Sequence, residues 1–180
     1  MTAAIGAAVL SRVVPTTCSM EGRNGVDGRP TDPQRGISMS DSGFSSFKTT
    51  EDKTNRVLRD VEEAYGWPKE RRNQSYAALR AVLHALRDRL PVEEAAQLGA
   101  QLPMLVRGIY YEQWDPSKVP MKFNREEFLQ RIRQEFPYDI EGDIEQLERT
   151  VLQALRRYIT DGEWDDIKAV MPKDLATALP

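Results

Sequence analysis

The chain has 180 residues, 25 of them lysine or arginine and 28 aspartate or glutamate, which gives a net charge of −3 and an isoelectric point near 5.4. This balance argues against a protein that coats nucleic acid, because such affinity comes from clustered cations that neutralise phosphates, and nucleic acid is therefore not an expected partner. The single cysteine excludes an internal disulfide, so the composition does not call for an oxidising compartment and we expect a cytoplasmic protein.

Residues 1–49 have the composition of a disordered tail. They include 6 Gly, 3 Pro, 7 Ser and 5 Thr, and they show no hydrophobic periodicity after residue 14. The apolar run over residues 5–14 is far shorter than the roughly 18 residues that a membrane span needs, so we expect no membrane contact. An alternative explanation of the tail is that translation begins at Met39, in which case residues 1–38 are not translated.

The first two predicted helices follow this tail from residue 50 onward. The first helix ends before Pro68, because proline disfavours a helical conformation in the residue that precedes it. Its apolar stripe consists of Val57, Leu58, Val61 and Tyr65. The second helix has a stripe at helical spacing, made of Leu79, Val82, Leu83, Leu86 and Leu90. His84 lies off this stripe, which predicts a position on the helix surface.

Prolines and a capping sequence delimit the helices that come later in the chain. A break at Pro103, and another at Pro172, each suit the first turn of a short final helix. Thr160 and Glu163 have the spacing of a capping box before another helix. No segment alternates with period two, so no sheet is expected.

The helical pattern occurs twice. Residues 81–87, AVLHALR, align with residues 150–156, TVLQALR, at a shift of 69 residues, and the same shift places Pro103 on Pro172. The opening helices align at a shift of 71. One shift that satisfies successive segments indicates duplication rather than chance similarity.

The sequence therefore predicts two tandem helical repeats, residues 50–111 and 123–180, joined by a linker over residues 114–120. A unit of about 60 residues buries little surface, so we expect the repeats to share one core as a pseudo-twofold all-α bundle. In this arrangement they pack through their leucine-rich second helices and their short final helices. Residues 50–111 alone are not expected to melt cooperatively.

Several motifs resemble one known family. They are the Val-Leu-x-Ala-Leu-Arg of the second helix, a Leu-Pro at the third break, and a pattern of Leu102-Pro103, Val106-Arg107-Gly108, Tyr110 and Trp114 before the linker. Over residues 50–180 the chain resembles the bacterial domain of unknown function 2267 family. The resemblance implies an all-α cytoplasmic domain and assigns no catalytic residue, and it favours Met39 as the start, since such proteins usually begin shortly before the first helix.

The residue inventory argues against common catalytic sites. One histidine in the whole chain excludes a ferritin-like di-metal centre and the His-Glu-x-x-His and Cys/His zinc sites. Cys18 lies in the predicted tail, and no serine occupies a Gly-x-Ser-x-Gly elbow. No glycine-rich loop opens a helix to cradle a phosphate. We therefore predict no catalytic residue, no metal and no cofactor.

One segment distinguishes the two repeats. The first repeat ends in an aromatic and cationic cluster without a counterpart in the second, whose members are Arg107, Tyr110, Tyr111 and Trp114. One interpretation is that Tyr110 and Trp114 seal the junction between the repeats. The other is a recognition surface, since Trp, Tyr and Arg dominate interface hot spots.

The most economical prediction is a non-catalytic module that binds a protein or a small ligand, with the cluster as its binding site. The expected partner is a different protein or a second copy of this chain. The alternative is a metal-independent enzyme or a small-molecule-binding protein with a pocket between the two repeats. A pocket lined by paired carboxylates with raised pKa values would favour the enzyme.

Overall fold

The computed structural model describes residues 45–140 and 142–180. The expectations for the earlier part of the chain, including the start at Met39, lie outside these residues. The described residues contain no strand and form eight helices: α1 (Ser45–Tyr65), α2 (Arg72–Arg89), α3 (Val92–Gln101), α4 (Met104–Tyr111), α5 (Arg125–Glu135), α6 (Ile144–Arg156), α7 (Asp161–Val170) and α8 (Lys173–Ala176). The all-α prediction is confirmed. The boundary of the predicted tail differs, because α1 already begins at Ser45.

The helix ends follow from local sequence. At the end of α1, Gly66 adopts a positive φ of 62°, and the amide of Trp67 donates to the carbonyl of Glu62 at 2.8 Å. This is the left-handed C-terminal cap that glycine favours, because it has no Cβ to clash. Pro103 and Pro172 directly precede α4 and α8, one position before the first helical residue.

The capping box predicted before α7 forms only in part. The hydroxyl of Thr160 accepts from the amide of Glu163 at 3.3 Å, as expected. The carboxylate of Glu163 does not return to the amide of Thr160. Gln101 of α3 takes its place: its Oε1 accepts from the Thr160 amide and its Nε2 donates to Glu163 Oε2, both at 2.7 Å. A side chain from another helix therefore completes this cap.

α2 is the central helix of the described fold. It packs against α1, α4, α5 and α6, and its residues 81–87 are all buried. The predicted leucine-rich stripe is buried, but so is the opposite face. His84 is only 5% exposed, so its predicted surface position is wrong. The physical reason is that α5 and the end of α4 cover the face that the stripe leaves free.

The helices form an N-terminal group, α1–α4, and a C-terminal group, α5–α8, within one compact unit. The main contacts between the groups join α2 to α5, α1 to α6, α2 to α6 and α3 to α7. The segment between the groups is fixed to α2, because the amide of Met121 donates to the carbonyl of Asp88 at 2.7 Å. One continuous set of buried apolar residues runs through both groups.

The longest described helices, α1 and α2, have 21 and 18 residues and are interrupted by charged side chains. Over residues 45–140 and 142–180, no helix combines the length and the apolar character needed to cross a membrane.

Candidate functional site

The structure separates the four residues of the predicted cluster. Tyr110 and Tyr111 turn toward α3, and Trp114 stacks on Tyr111 just beyond the end of α4. Arg107, one turn earlier, lies on the groove between α4 and α1. The cluster is therefore not a single surface.

The two tyrosines serve mainly as packing residues. Tyr110 is fully buried, and its hydroxyl donates to the carbonyl of Ala95 at 3.0 Å. Burial raises the pKa of Tyr110 above its ordinary value, since no water solvates the phenolate. The hydroxyl of Tyr111 lies 3.4 Å from the same carbonyl and passes so close to Gly99 that a Cβ there would overlap it. α4 thus docks on α3 through both rings.

Trp114 extends this packing. Its ring centroid lies 5.2 Å from that of Tyr111, and the side chain is half-buried. Its indole Nε1 is enclosed and has no hydrogen-bond partner among the described residues. The binding role of these aromatic residues stays a prediction, and Tyr110 is inaccessible to any partner in this structure.

Two cationic or basic side chains from α2 hold the C-terminal end of α4. Nη1 of Arg87 donates to the carbonyls of Tyr110, at 2.5 Å, and Glu112, at 3.0 Å. His84 Nε2 lies 2.8 Å from the carbonyl of Ile109, to which it donates because a carbonyl oxygen only accepts. Carbonyls at the C-terminal end of a helix carry partial negative charge, and that of Ile109 also accepts from the amide of Glu112 at 3.2 Å. We call His84 and Arg87 the α4 clamp.

The α4 clamp is continuous with ion pairs that reach α5. His84 Nδ1 lies 2.6 Å from the carboxylate of Glu135, which also pairs with Arg80. Arg80 donates through Nε to Glu112 at 2.7 Å, and this hydrogen bond lowers the pKa of Glu112. The sequence placed His84 on the surface because the residues that cover it come from distant segments.

A groove of about 420 Å³ lies at the other end of α4. It runs between the start of α1, the turn that joins α3 to α4, and Tyr158, which follows α6. Its lining residues are Ser46, Thr49, Thr50, Lys53, Ala100, Gln101, Leu102, Pro103, Met104, Arg107 and Tyr158. Both helix groups therefore contribute to it, and we refer to it as the groove.

Hydrogen bonds fix the walls of the groove. The hydroxyl of Tyr158 donates to the carbonyl of Lys53 at 3.2 Å, which joins the two groups at its rim. The amide of Leu105 donates to the hydroxyl of Thr50 at 3.3 Å, and Nη2 of Arg107 donates to the carbonyl of Ala100 at 2.6 Å. The groove is thus bounded by side chains with defined positions.

A pair of glutamates lies behind the groove, where α3 meets α7. Glu163 is 6% exposed, and its pKa is raised, first by burial and then by the nearby carboxylate of Glu94. One buried oxygen of each glutamate has no hydrogen-bond partner in the described residues. Neither glutamate lines the groove, and Gln101 stands between Glu163 and it.

No candidate metal site is present in the part of the chain that the structure describes. Within that part, no group of three or more His, Cys, Asp or Glu side chains is placed to hold an ion.

Sequence reasoning found Arg107 but missed Lys53, Gln101 and Tyr158. These residues lie in segments separated by about 50 positions, and each has an ordinary local sequence. The only available signal was the break at Pro103, which forces the chain to turn at the groove.

Comparison with known protein families gives a match. The model of a family described as "Uncharacterized conserved protein (DUF2267)" matches residues 54–178, more than two thirds of the chain. No curated protein matches the chain.

Proposed function

The chain belongs to the DUF2267 family, and we propose that it is a cytoplasmic, non-catalytic module that binds a small ligand in the groove. The observation that carries this proposal is the groove itself, an open space of about 420 Å³ with walls from both helix groups. This volume falls in the range of small-molecule sites, which often form where structural units meet.

We also propose that the two helix groups are tandem repeats of one unit. The helix boundaries support it: α3 and α7 each have ten residues, and they begin 69 positions apart, as do α4 and α8. In each group a proline precedes the final helix. A groove at the junction of two such repeats has no equivalent inside a single copy.

The groove favours binding over catalysis. None of the described residues that line it is a carboxylate, an imidazole or a thiol, which are the usual groups for acid–base and nucleophilic chemistry. The carboxylates of Glu94 and Glu163 lie close together, and the pKa of Glu163 is raised, but neither residue lines the groove. The hydroxyl groups of the lining therefore have no carboxylate or imidazole beside them in the groove to activate them, which favours a binding role.

A blocking variant tests the proposal. Ala100 is exposed on α3 and lines the groove, so Ala100→Trp fills it without removing a buried contact. A pool of anionic, neutral and cationic small molecules is screened by ligand-observed NMR against the full chain, and hits are located by amide shifts. We expect hits that shift Ala100 and Tyr158 and that Ala100→Trp weakens by about tenfold or more.

The matched control is Ala169→Trp, at the exposed repeat-related position on α7. It adds the same indole to the surface and is expected to leave every affinity within about twofold. The proposed site is wrong if no molecule of any charge shifts the amide resonances of the groove. It is also wrong if Ala100→Trp binds every hit as tightly as Ala169→Trp does.

A further inference from the structure

We infer that the ligand of the groove carries an oxyanion, a phosphate or a carboxylate, held by Lys53 and Arg107. This inference rests on the proposed function and names the chemical class that the groove takes. It does not need a glycine-rich loop, because the donors are side chains from three segments.

The charge of the lining is the first argument. Two cations and no acid lie among the residues of the groove. The acidic residues next to Lys53 in the sequence, Glu51 and Asp52, are exposed and do not line it. In a chain of net charge −3, a groove with this composition attracts anions and excludes cations.

The pairing of the two cations is the second argument. Within the described residues Lys53 forms no ion pair and no hydrogen bond through its amine. Arg107 has no carboxylate partner there either; it donates only to the carbonyls of Ala100, at 2.6 Å, and Leu102, at 3.2 Å. These bonds position the guanidinium and leave its charge uncompensated. An oxyanion is the ligand that best supplies acceptors and compensating charge to both side chains.

Hydroxyl groups supply further donors. Thr50 is 8% exposed, and its oxygen accepts from the amide of Leu105 at 3.3 Å. A hydroxyl that accepts still has its own hydrogen to donate, and Ser46 lines the same wall, whereas the hydroxyl of Thr49 donates to the carbonyl of Ser45 at 2.9 Å. Donors from several directions match the lone pairs of an oxyanion.

The size of the groove indicates that the anion is the head group of a larger molecule. A volume of about 420 Å³ exceeds what one phosphate group fills. Of the remaining lining residues Gln101 is polar, and the others are apolar or aromatic, among them Leu102, Pro103, Met104 and Tyr158. The ligand that fits is a small organic anion with an apolar or aromatic body.

The test uses the full chain and three probes with the same ring: phenyl phosphate, benzoate and phenol. We expect saturable amide shifts at Lys53 and Arg107 with one or both anions, and a markedly weaker affinity for phenol. Phenyl phosphate and benzoate are compared to determine which oxyanion is preferred. Lys53→Ala is expected to weaken the anion by about tenfold, and its exposed position keeps the fold intact.

The matched control is Lys48→Ala, an exposed lysine on α1 outside the groove, for which we expect a change within about twofold. Equal losses in both variants, phenol binding as tightly as the anions, or no saturable shift up to about 20 mM anion would overturn the inference. A neutral library hit in the groove, with neither anion bound, would leave the proposed function in place and refute only the anion. No hit of any charge would refute both.

Discussion

The two ends of α4 lie at junctions between the same helix groups, and their basic side chains have different surroundings. At the C-terminal end, the α4 clamp directs His84 and Arg87 to backbone carbonyls, and Glu135 and Asp88 complete their contacts. At the N-terminal end, Lys53 and Arg107 border open space. The first junction is closed by hydrogen bonds, and the second is a groove.

This difference separates buried charge from charge that borders open space. A buried cation needs several partners, because desolvation costs more than any single contact returns, and Arg87, 4% exposed, has three acceptors. Lys53 is exposed beside the groove, so its amine keeps its hydration and can exchange water for a ligand. Residue type alone does not distinguish these roles, since both ends contain arginine.

The largest expected effect comes from a fragment that lacks the C-terminal helix group and therefore one side of both junctions. A fragment of residues 45–111 keeps α1–α4 complete but exposes the faces of α2 that contact α5 and α6. We expect no cooperative thermal transition and weak dispersion of amide resonances, because the buried core is continuous across the two groups.

The control is residues 45–180, which retain every described helix and are expected to melt sharply. A sharp transition of the fragment, measured by calorimetry and circular dichroism, would show that each group has its own core and that the junctions are not required for folding.

The second effect concerns the closed junction alone. Arg87→Ala leaves the carbonyls of Tyr110 and Glu112 without their donor in a buried environment, and we expect unfolding to cost about 3 kcal/mol less in free energy. Chemical denaturation of the full chain measures this change in the free energy of unfolding.

Arg149→Ala, which removes an exposed arginine of α6, is the control and should change stability by less than about 0.5 kcal/mol. A similar small change for Arg87→Ala would mean that the α4 clamp is dispensable.

The helices were predictable because their signals are local. The stripe from Leu79 to Leu90, the stop before Pro68 and the breaks at Pro103 and Pro172 each depend on neighbours within one or two turns. The burial of His84 was not predictable in this way, because it depends on Ile109 and Glu135, which lie 25 and 51 positions away. A stripe shows which face is apolar, and it does not show whether a second face is also covered.

The candidate site shows the same limit. Arg107 stood out because the predicted second repeat lacks its counterpart, but the aromatic residues grouped with it pack against α3. The groove arises where the start of α1, the turn at Pro103 and Tyr158 meet, and no spacing in the sequence relates these three segments. Besides the break at Pro103, which lies in the groove, the sequence contained a capping pattern next to it at Thr160, and there Gln101 accepts from the Thr160 amide in place of Glu163.

The smallest effect sharpens the comparison at the back of the groove, where Glu163 is buried like Arg87 but one of its oxygens has no partner. Its pKa is raised in the fold, so as the pH rises above the unfolded pKa, the unfolded chain ionises first and stability falls until the folded pKa is passed.

Glu163→Gln removes this penalty and can donate an amide hydrogen toward Glu94. We expect the variant to be more stable than the natural chain by about 1 kcal/mol at pH 8, with the gap closing toward pH 4. Denaturation across this range measures the gap, and Asp165→Asn, an exposed change on the same helix, should show no such trend. A variant that is less stable at pH 8 would mean that the carboxylate is needed as an anion, and that this end of α4 is closed by charge in the same way as the other.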